Sequence, residues 1–246
     1  MNAGTDLTPP GDADRATVSS DTIRSAIGPL RLIFWAGLIY AVDVPFGRVD
    51  GGQGWRFDLL NDAVAMLLIA VGVFRLGRLR VDPPWLDRYG SAMKFVKAIA
   101  LLGIADAVGG HFVFRRSPEL ELIVAVFRLA QAGAGTVFFL CMRSLCAKAG
   151  LKGAARGWSV SLGLFLVVVA GPVGSYFYAA FLHIMAGGTA VGEVGLLRIV
   201  AKALLVVPFA GAYVSTSRMA QAVGRGGSPS GPMPSAGEPG GRHDSR

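Results

Sequence analysis

Apolar residues occur along this chain in long runs, separated by short basic or glycine-rich links. Most runs approach the roughly 20 residues that an α-helix needs to cross a bilayer. The pattern predicts an all-α fold, a polytopic transmembrane helix bundle of about six spans joined by short loops. The six predicted spans are residues 29–46, 57–76, 92–114, 120–145, 158–186 and 194–214.

Polar segments flank this apolar region on both sides. Residues 1–28 lack the basic stretch and apolar core of a secretory signal, and we expect them to form a disordered cytoplasmic tail. Residues 218–246 are rich in glycine, proline and serine and predict a second disordered tail. The domain organisation is therefore one transmembrane domain at 29–217 between two tails.

The composition agrees with a membrane protein. Hydrophobic residues make up 52% of the 246-residue chain and charged residues only 16%, whereas soluble domains carry about 25% charged residues. The net charge of +8 also raises the question of nucleic-acid binding. We expect none, since no basic patch is interleaved with aromatic residues. The lipid bilayer is the expected partner, and homo-oligomerisation and a small-molecule or ion ligand stay open.

Lysine and arginine are unevenly distributed among the links. They concentrate between spans two and three, between spans four and five, and in the C-terminal tail: Arg75, Arg78, Arg80, Arg88, Arg143, Lys148, Lys152, Arg156, Arg218, Arg225, Arg242 and Arg246. Basic loops of membrane proteins lie on the cytoplasmic side. The distribution therefore predicts an even number of spans with both termini in the cytoplasm.

Most ionisable residues within or at the ends of the spans fall in the predicted outer half, and the inner halves are nearly bare, with Lys94 and Lys97 near the foot of span three. The candidate intramembrane polar site comprises Asp62, Asp106, His111, Arg128, Arg198 and Lys202. A lone charge in hydrocarbon costs several kcal/mol, so these groups should face the bundle interior or water and form pairs. Asp62 or Asp106 is the expected partner of Arg128, and the same two carboxylates are candidates for Arg198 or Lys202.

Three interpretations of this polar site stay open. It is a structural ion-pair network, or an outward-facing cavity for an ion, a proton relay or a small anionic solute, or a set of side chains that reach the interface. The leading hypothesis is a non-enzymatic integral membrane protein with such a network, and the alternative is a small transporter or ion-coupled permease. A membrane-embedded enzyme is a second alternative that lacks any catalytic motif. No cofactor is expected, because His111 and His183 have no HxxxH or CxxCH context.

The stretch at residues 57–76 resembles a segment of small uncharacterised bacterial polytopic membrane proteins, in which DILPDFIGY precedes an apolar run with a glycine and a final leucine. The matching positions are Asp58, Leu60, Asp62, Gly72 and Leu76. Asn61, Ala65 and Met66 depart from the pattern. The resemblance implies a multi-pass protein of the bacterial cytoplasmic (inner) membrane and carries no activity over to this chain.

Overall fold

The computed structural model describes residues 18–41, 45–50, 53–58, 62–81, 85–109, 112–113, 118–186 and 195–226. The helices are α1 (Ser20–Ala41), α2 (Asp62–Leu76), α3 (Trp85–Gly109), α4 (Pro118–Lys148), α5 (Lys152–Phe165), α6 (Gly171–Met185) and α7 (Gly195–Gly226). A π-helical segment, Leu166–Ala170, joins α5 to α6 without a break. The described part of the chain thus forms six continuous helices, and the predicted helical architecture is confirmed.

The helices form a closed ring. Each of α1 to α4 packs against the next, α7 packs against both α5 and α1, and α6 packs against α4. Three of the described helical stretches are long and apolar enough to cross a membrane: Ser20–Ala41, Leu122–Lys148 and Lys152–Ala179. By comparison α2 has 15 residues, about 22 Å of helix, which is shorter than the ~30 Å hydrocarbon core.

A small antiparallel sheet connects the loops at one end of the ring. Strands β1 (Pro45–Asp50) and β2 (Gln53–Asp58) pair as a hairpin, and β2 also pairs with β3 (Phe112–Val113). The sheet takes residues from the predicted spans 29–46, 57–76 and 92–114. Its sequence signal is the Gly-Gly pair at positions 51 and 52, which favours a two-residue hairpin loop between extended segments.

The first helix begins earlier than predicted. We expected residues 1–28 to be a disordered tail, but α1 starts at Ser20, and only 1–17 of that tail lie outside the described residues. The Ser19 hydroxyl accepts a hydrogen bond from the Thr22 backbone N–H at 3.2 Å, which caps the helix. Pro29, at which we expected the first span to begin, lies inside α1. Gly72 of α2 packs closely against the carbonyl oxygen of Pro29.

The remaining boundaries also shift. Helix α3 starts at Trp85, seven residues before the predicted start of the third span at 92. Helix α7 extends through 218–226, which we expected to be disordered, because Met219 is fully buried and continues its packed face. The helix at the fifth predicted span, 158–186, begins at Lys152 and changes to π-helical geometry just before Gly171 and Pro172, since a proline removes a helical hydrogen bond and widens the preceding turn.

Two ends of the ring have different character. The basic end holds the start of α1, the α2–α3 and α4–α5 links and the end of α7, and its exposed cations include Arg75, Arg78, Arg143, Lys152 and Arg156. The sheet end holds the end of α1, the start of α2 and the sheet. The largest fully buried apolar side chains lie toward the basic end: Ile23, Leu76, Met93, Met142, Leu145, Trp158 and Met219.

Candidate functional site

The sheet end brings four helices together around one arginine. Helix α1 ends there one residue after Tyr40, α2 begins there with Asp62, and α3 ends three residues after Asp106. Arg128 lies about 15 Å along α4 from its first residue, at 1.5 Å per residue. The antiparallel threading therefore supplies side chains from α1, α2 and α3 near a cation carried by α4.

The central contact is an ion pair between α3 and α4. The Nη2 of Arg128 lies 2.8 Å from the Oδ2 of Asp106, a charge-assisted hydrogen bond of good length. Of the partners that the sequence left open for Arg128, the structure contains this one. The Arg128 side chain is 38% exposed and that of Asp106 is 19% exposed, so water reaches the arginine more easily than the carboxylate.

The second guanidinium nitrogen is also used. The Nη1 of Arg128 donates to the Oε1 of Gln131 at 3.1 Å, and it lies 3.5 Å from the hydroxyl oxygen of Tyr40 on α1. The Asp62 charge on α2 interacts electrostatically with Arg128, and one oxygen of the Asp62 carboxylate is buried. Arg128 therefore links α1, α3 and α4 by direct contacts, and the Asp62 charge of α2 acts on it from a distance. A guanidinium paired with a carboxylate can hold helices together, or can exchange the carboxylate for an incoming anion.

Close packing of α2, α3 and α4 supports the ion pair one helical turn away from Asp106. Gly103 lies one helical turn before Asp106 on α3, and a side chain built there would overlap Met66 of α2 and meet Gln131 of α4 at 3.4 Å. The absence of a side chain at Gly103 lets α2, α3 and α4 approach each other at the level of the ion pair. It also places the Gln131 amide between the helices, where the amide oxygen reaches Arg128.

The other predicted site residues are not brought to this cluster by any described contact. Arg198 and Lys202 belong to α7, but their side chains lie outside the described residues, and so does His111. His183 is in α6, again without a described side chain. Within the described part of the chain, no three His, Cys, Asp or Glu side chains lie close enough together to hold a metal ion.

Two members of the cluster were missed by the sequence analysis. Gln131 is not among the predicted site residues, although its spacing of three residues from Arg128 puts both on one helical face. Tyr40 was counted only as part of an apolar run. A tyrosine hydroxyl at the end of a membrane helix often needs a polar partner, and this would have been the usable signal.

Polar contacts at the basic end join helices rather than form a charge cluster. The Thr22 hydroxyl of α1 donates to the carbonyl of Arg80 at 2.9 Å, and the buried hydroxyl of Tyr89 donates to the carbonyl of Leu76 at 2.9 Å. The ammonium of Lys97 lies 3.3 Å from the Gly77 carbonyl. Each donor satisfies a carbonyl freed at the end of α2 or in the link after it, so the link is fixed to α1 and α3.

Cys141 and Cys146 are both buried and form no disulfide, and as members of α4 they pack in the core of the basic end. Comparison with known proteins gives no relative for this arrangement: no protein-family model, no curated protein and no solved structure matches the chain.

Proposed function

We propose that this chain is a six-span integral protein of a bacterial cytoplasmic membrane, with both termini in the cytoplasm and an ion-pair network that joins the outer ends of α1 to α4. The network's role in this proposal is structural rather than catalytic. The observation that carries it is the 2.8 Å contact between Arg128 and Asp106, with further donor contacts from the same guanidinium to α1 and α4. Paired charges are the form in which ionisable groups are stable within a bilayer.

The six spans are supported by the closed ring. Three helices meet the length and hydropathy expected of a span by themselves, and the other three are neighbours of these in the ring. Large apolar side chains on the outside of the ring are exposed, including Trp35, Leu67, Leu102, Ile123 and Val160. Outward-facing apolar residues of this number suit contact with lipid. The exposed cations gathered at the basic end support a cytoplasmic position for that end.

A double-mutant cycle tests the structural network. Arg128→Gln should lower the free energy of unfolding in detergent by about 1–3 kcal/mol, because it leaves the mostly buried Asp106 carboxylate without its cation. Adding Asp106→Asn should recover part of that loss, with a coupling of about 1 kcal/mol.

The chain provides its own control for this cycle. Asp21 and Arg24 form an exposed pair at 3.5 Å, with side chains 84% and 62% exposed. The same cycle with Asp21→Asn and Arg24→Gln should give a coupling near zero. Equal couplings for the two pairs would contradict a structural role for Arg128.

A small transporter or ion-coupled permease is the second candidate, and the observation that favours it is the partial exposure of the Arg128 side chain. In that case Arg128 exchanges Asp106 for a transported anion. Single cysteines at Asp62 and Asp106, in a chain with Cys141→Ser and Cys146→Ser, distinguish the candidates when intact cells meet a membrane-impermeant thiol reagent. Fast labelling supports a wet cavity. Protection of both, with a cysteine at Gly188 still labelled, supports the closed network.

A further inference from the structure

A groove on the outer face of the ring lies between α2 and α3. Its volume is about 310 Å3, and its lining is Leu67, Ala70, Val71, Phe74, Arg75, Arg78, Leu101 and Ile104. Ala70 is buried and has a small side chain, which leaves the floor of the groove low between the larger residues on either side. The groove is apolar along most of its length and changes to cationic only at the basic end.

Several cations lie close together at the basic end of the groove, and their side chains are exposed. Arg75 and Arg78 line the groove and are exposed, and Lys94 of α3 is exposed at the same level. The Lys97 ammonium lies 5.5 Å from the centre of the Phe74 ring, which adds positive charge beside the groove. Within the described part of the chain, the ion pairs are Arg24–Asp21 and Arg128–Asp106, so no described carboxylate neutralises Arg75 or Arg78.

The dimensions fit one leaflet of a bilayer. From Leu67 to Leu76, where α2 ends, the chain rises about 14 Å at the helical rise of about 1.5 Å per residue, and Arg78 follows in the turn. Half of the ~30 Å hydrocarbon core is about 15 Å. On the proposed topology, the last turn of α2 and the following arginines are placed where the lipid headgroups of the cytoplasmic leaflet begin. An acyl chain against Leu67, Val71 and Leu101 would therefore bring its headgroup to the arginines.

We propose that the α2–α3 groove binds an anionic phospholipid of the cytoplasmic leaflet, with the phosphate at Arg75 and Arg78 and an acyl chain along the apolar lining. The inference rests on the proposed membrane topology, since only that topology places the basic end among cytoplasmic headgroups. Basic pockets between membrane helices on the cytoplasmic side select anionic headgroups by charge, and arginine donates two parallel hydrogen bonds to a phosphate. The apolar length of the groove favours a lipid over free phosphate.

Native mass spectrometry of the full chain in detergent tests this site. The probes are phosphatidylglycerol and phosphatidylcholine with identical acyl chains, each titrated with and without millimolar inorganic phosphate. We expect tighter binding of phosphatidylglycerol and a loss of affinity of about tenfold or more in the Arg75→Gln/Arg78→Gln variant. The matched control is Arg143→Gln/Arg156→Gln, which removes two exposed arginines from the same end outside the groove and should bind as the unmodified chain does.

A second variant tests the apolar part independently. Val71→Trp fills the groove without changing charge and should weaken both lipids. Equal binding of the two lipids, equal losses in the two arginine variants, or complete displacement by inorganic phosphate would each overturn the proposal. The topology is tested separately by whether the chain stays in the membrane after alkaline carbonate extraction. A chain that stays there and fails the lipid test overturns only the groove.

Discussion

The two ends of the helix ring differ in what holds them together. At the basic end, large apolar side chains such as Trp158, Met142 and Met219 are completely buried, and the hydroxyls of Thr22 and Tyr89 donate to backbone carbonyls. At the sheet end the helices are joined by the Arg128 cluster and by the three-stranded sheet. Apolar packing is non-directional and strong in sum, whereas an ion pair is directional and open to exchange. The basic end is thus suited to rigid assembly and the sheet end to adjustment.

Helix α6 shows the same contrast. It continues α5 toward the sheet end, and within the described residues its main packing partner beyond α5 and the π-helical segment is α4. Several of its side chains are exposed, including Tyr178 at 63% and Met185 at 71%, whereas Trp158 on α5 is 1% exposed. The change occurs across the π-helical segment Leu166–Ala170, where the helix loses regular geometry. π-Segments within helices often occur at functional positions.

The largest difference between the two halves should appear when an aromatic side chain is removed. Trp158→Ala should lower the free energy of unfolding in detergent by about 3–5 kcal/mol, since it leaves a cavity and removes the hydrogen bond from the indole N–H to the Met219 sulfur at 3.4 Å. Tyr178→Ala, in the exposed helix, should change it by less than about 0.5 kcal/mol. Similar losses in the two variants would show that both halves are packed alike.

Glycine substitutions where α5 packs against α7 should have a smaller effect on stability, and α5 itself provides a control position. A side chain built at Gly157 would overlap the hydroxyl of Ser215, and one built at Gly211 would meet the hydroxyl of Ser161 at 2.7 Å. Gly157→Leu should therefore cost about 1–3 kcal/mol by forcing the helices apart. Gly163→Leu, on the same helix with no neighbouring atom within 4 Å, should instead stabilise the helix by somewhat less than about 1 kcal/mol. Stability changes of the same sign in the two variants would contradict the close approach of α5 and α7 at Gly157.

The sequence predicts the helices well because many outward-facing positions are as apolar as the buried ones, which leaves long apolar runs typical of helices. It fails where short-range and long-range effects compete. The first half of α1 is polar at its start and contains Pro29, so its sequence alone does not predict a buried helix. Its burial depends on contacts with the α2–α3 link and with Ala149 of the α4–α5 link, which are distant in sequence.

The polar cluster shows a second limit of sequence reasoning. Arg128 was recognised as a residue that needs a carboxylate, since charge and depth follow from the sequence. The choice of Asp106 over Asp62 depends on how α3 and α4 are rotated against each other. Small residues such as Gly103 set this rotation, and their contacts are made between helices. Tyr40 was missed for the same reason, because its hydroxyl reaches Arg128 only when α1 lies beside α4.

The smallest expected loss of stability comes from removing a single polar contact at the basic end while its apolar core stays intact. Tyr89→Phe keeps the ring within the core and removes only the hydrogen bond to the Leu76 carbonyl, so it should cost about 1 kcal/mol at neutral pH. Burial, with a smaller contribution from the neighbouring Cys141, raises the pKa of Tyr89 above its ordinary value of about 10. A raised pKa in the folded state means that stability is retained below about pH 10 and falls as the pH increases beyond it. The unmodified chain should therefore lose stability above pH 10 more steeply than Tyr89→Phe in thermal unfolding measured from pH 8 to 11, and parallel losses would show that Tyr89 is solvated.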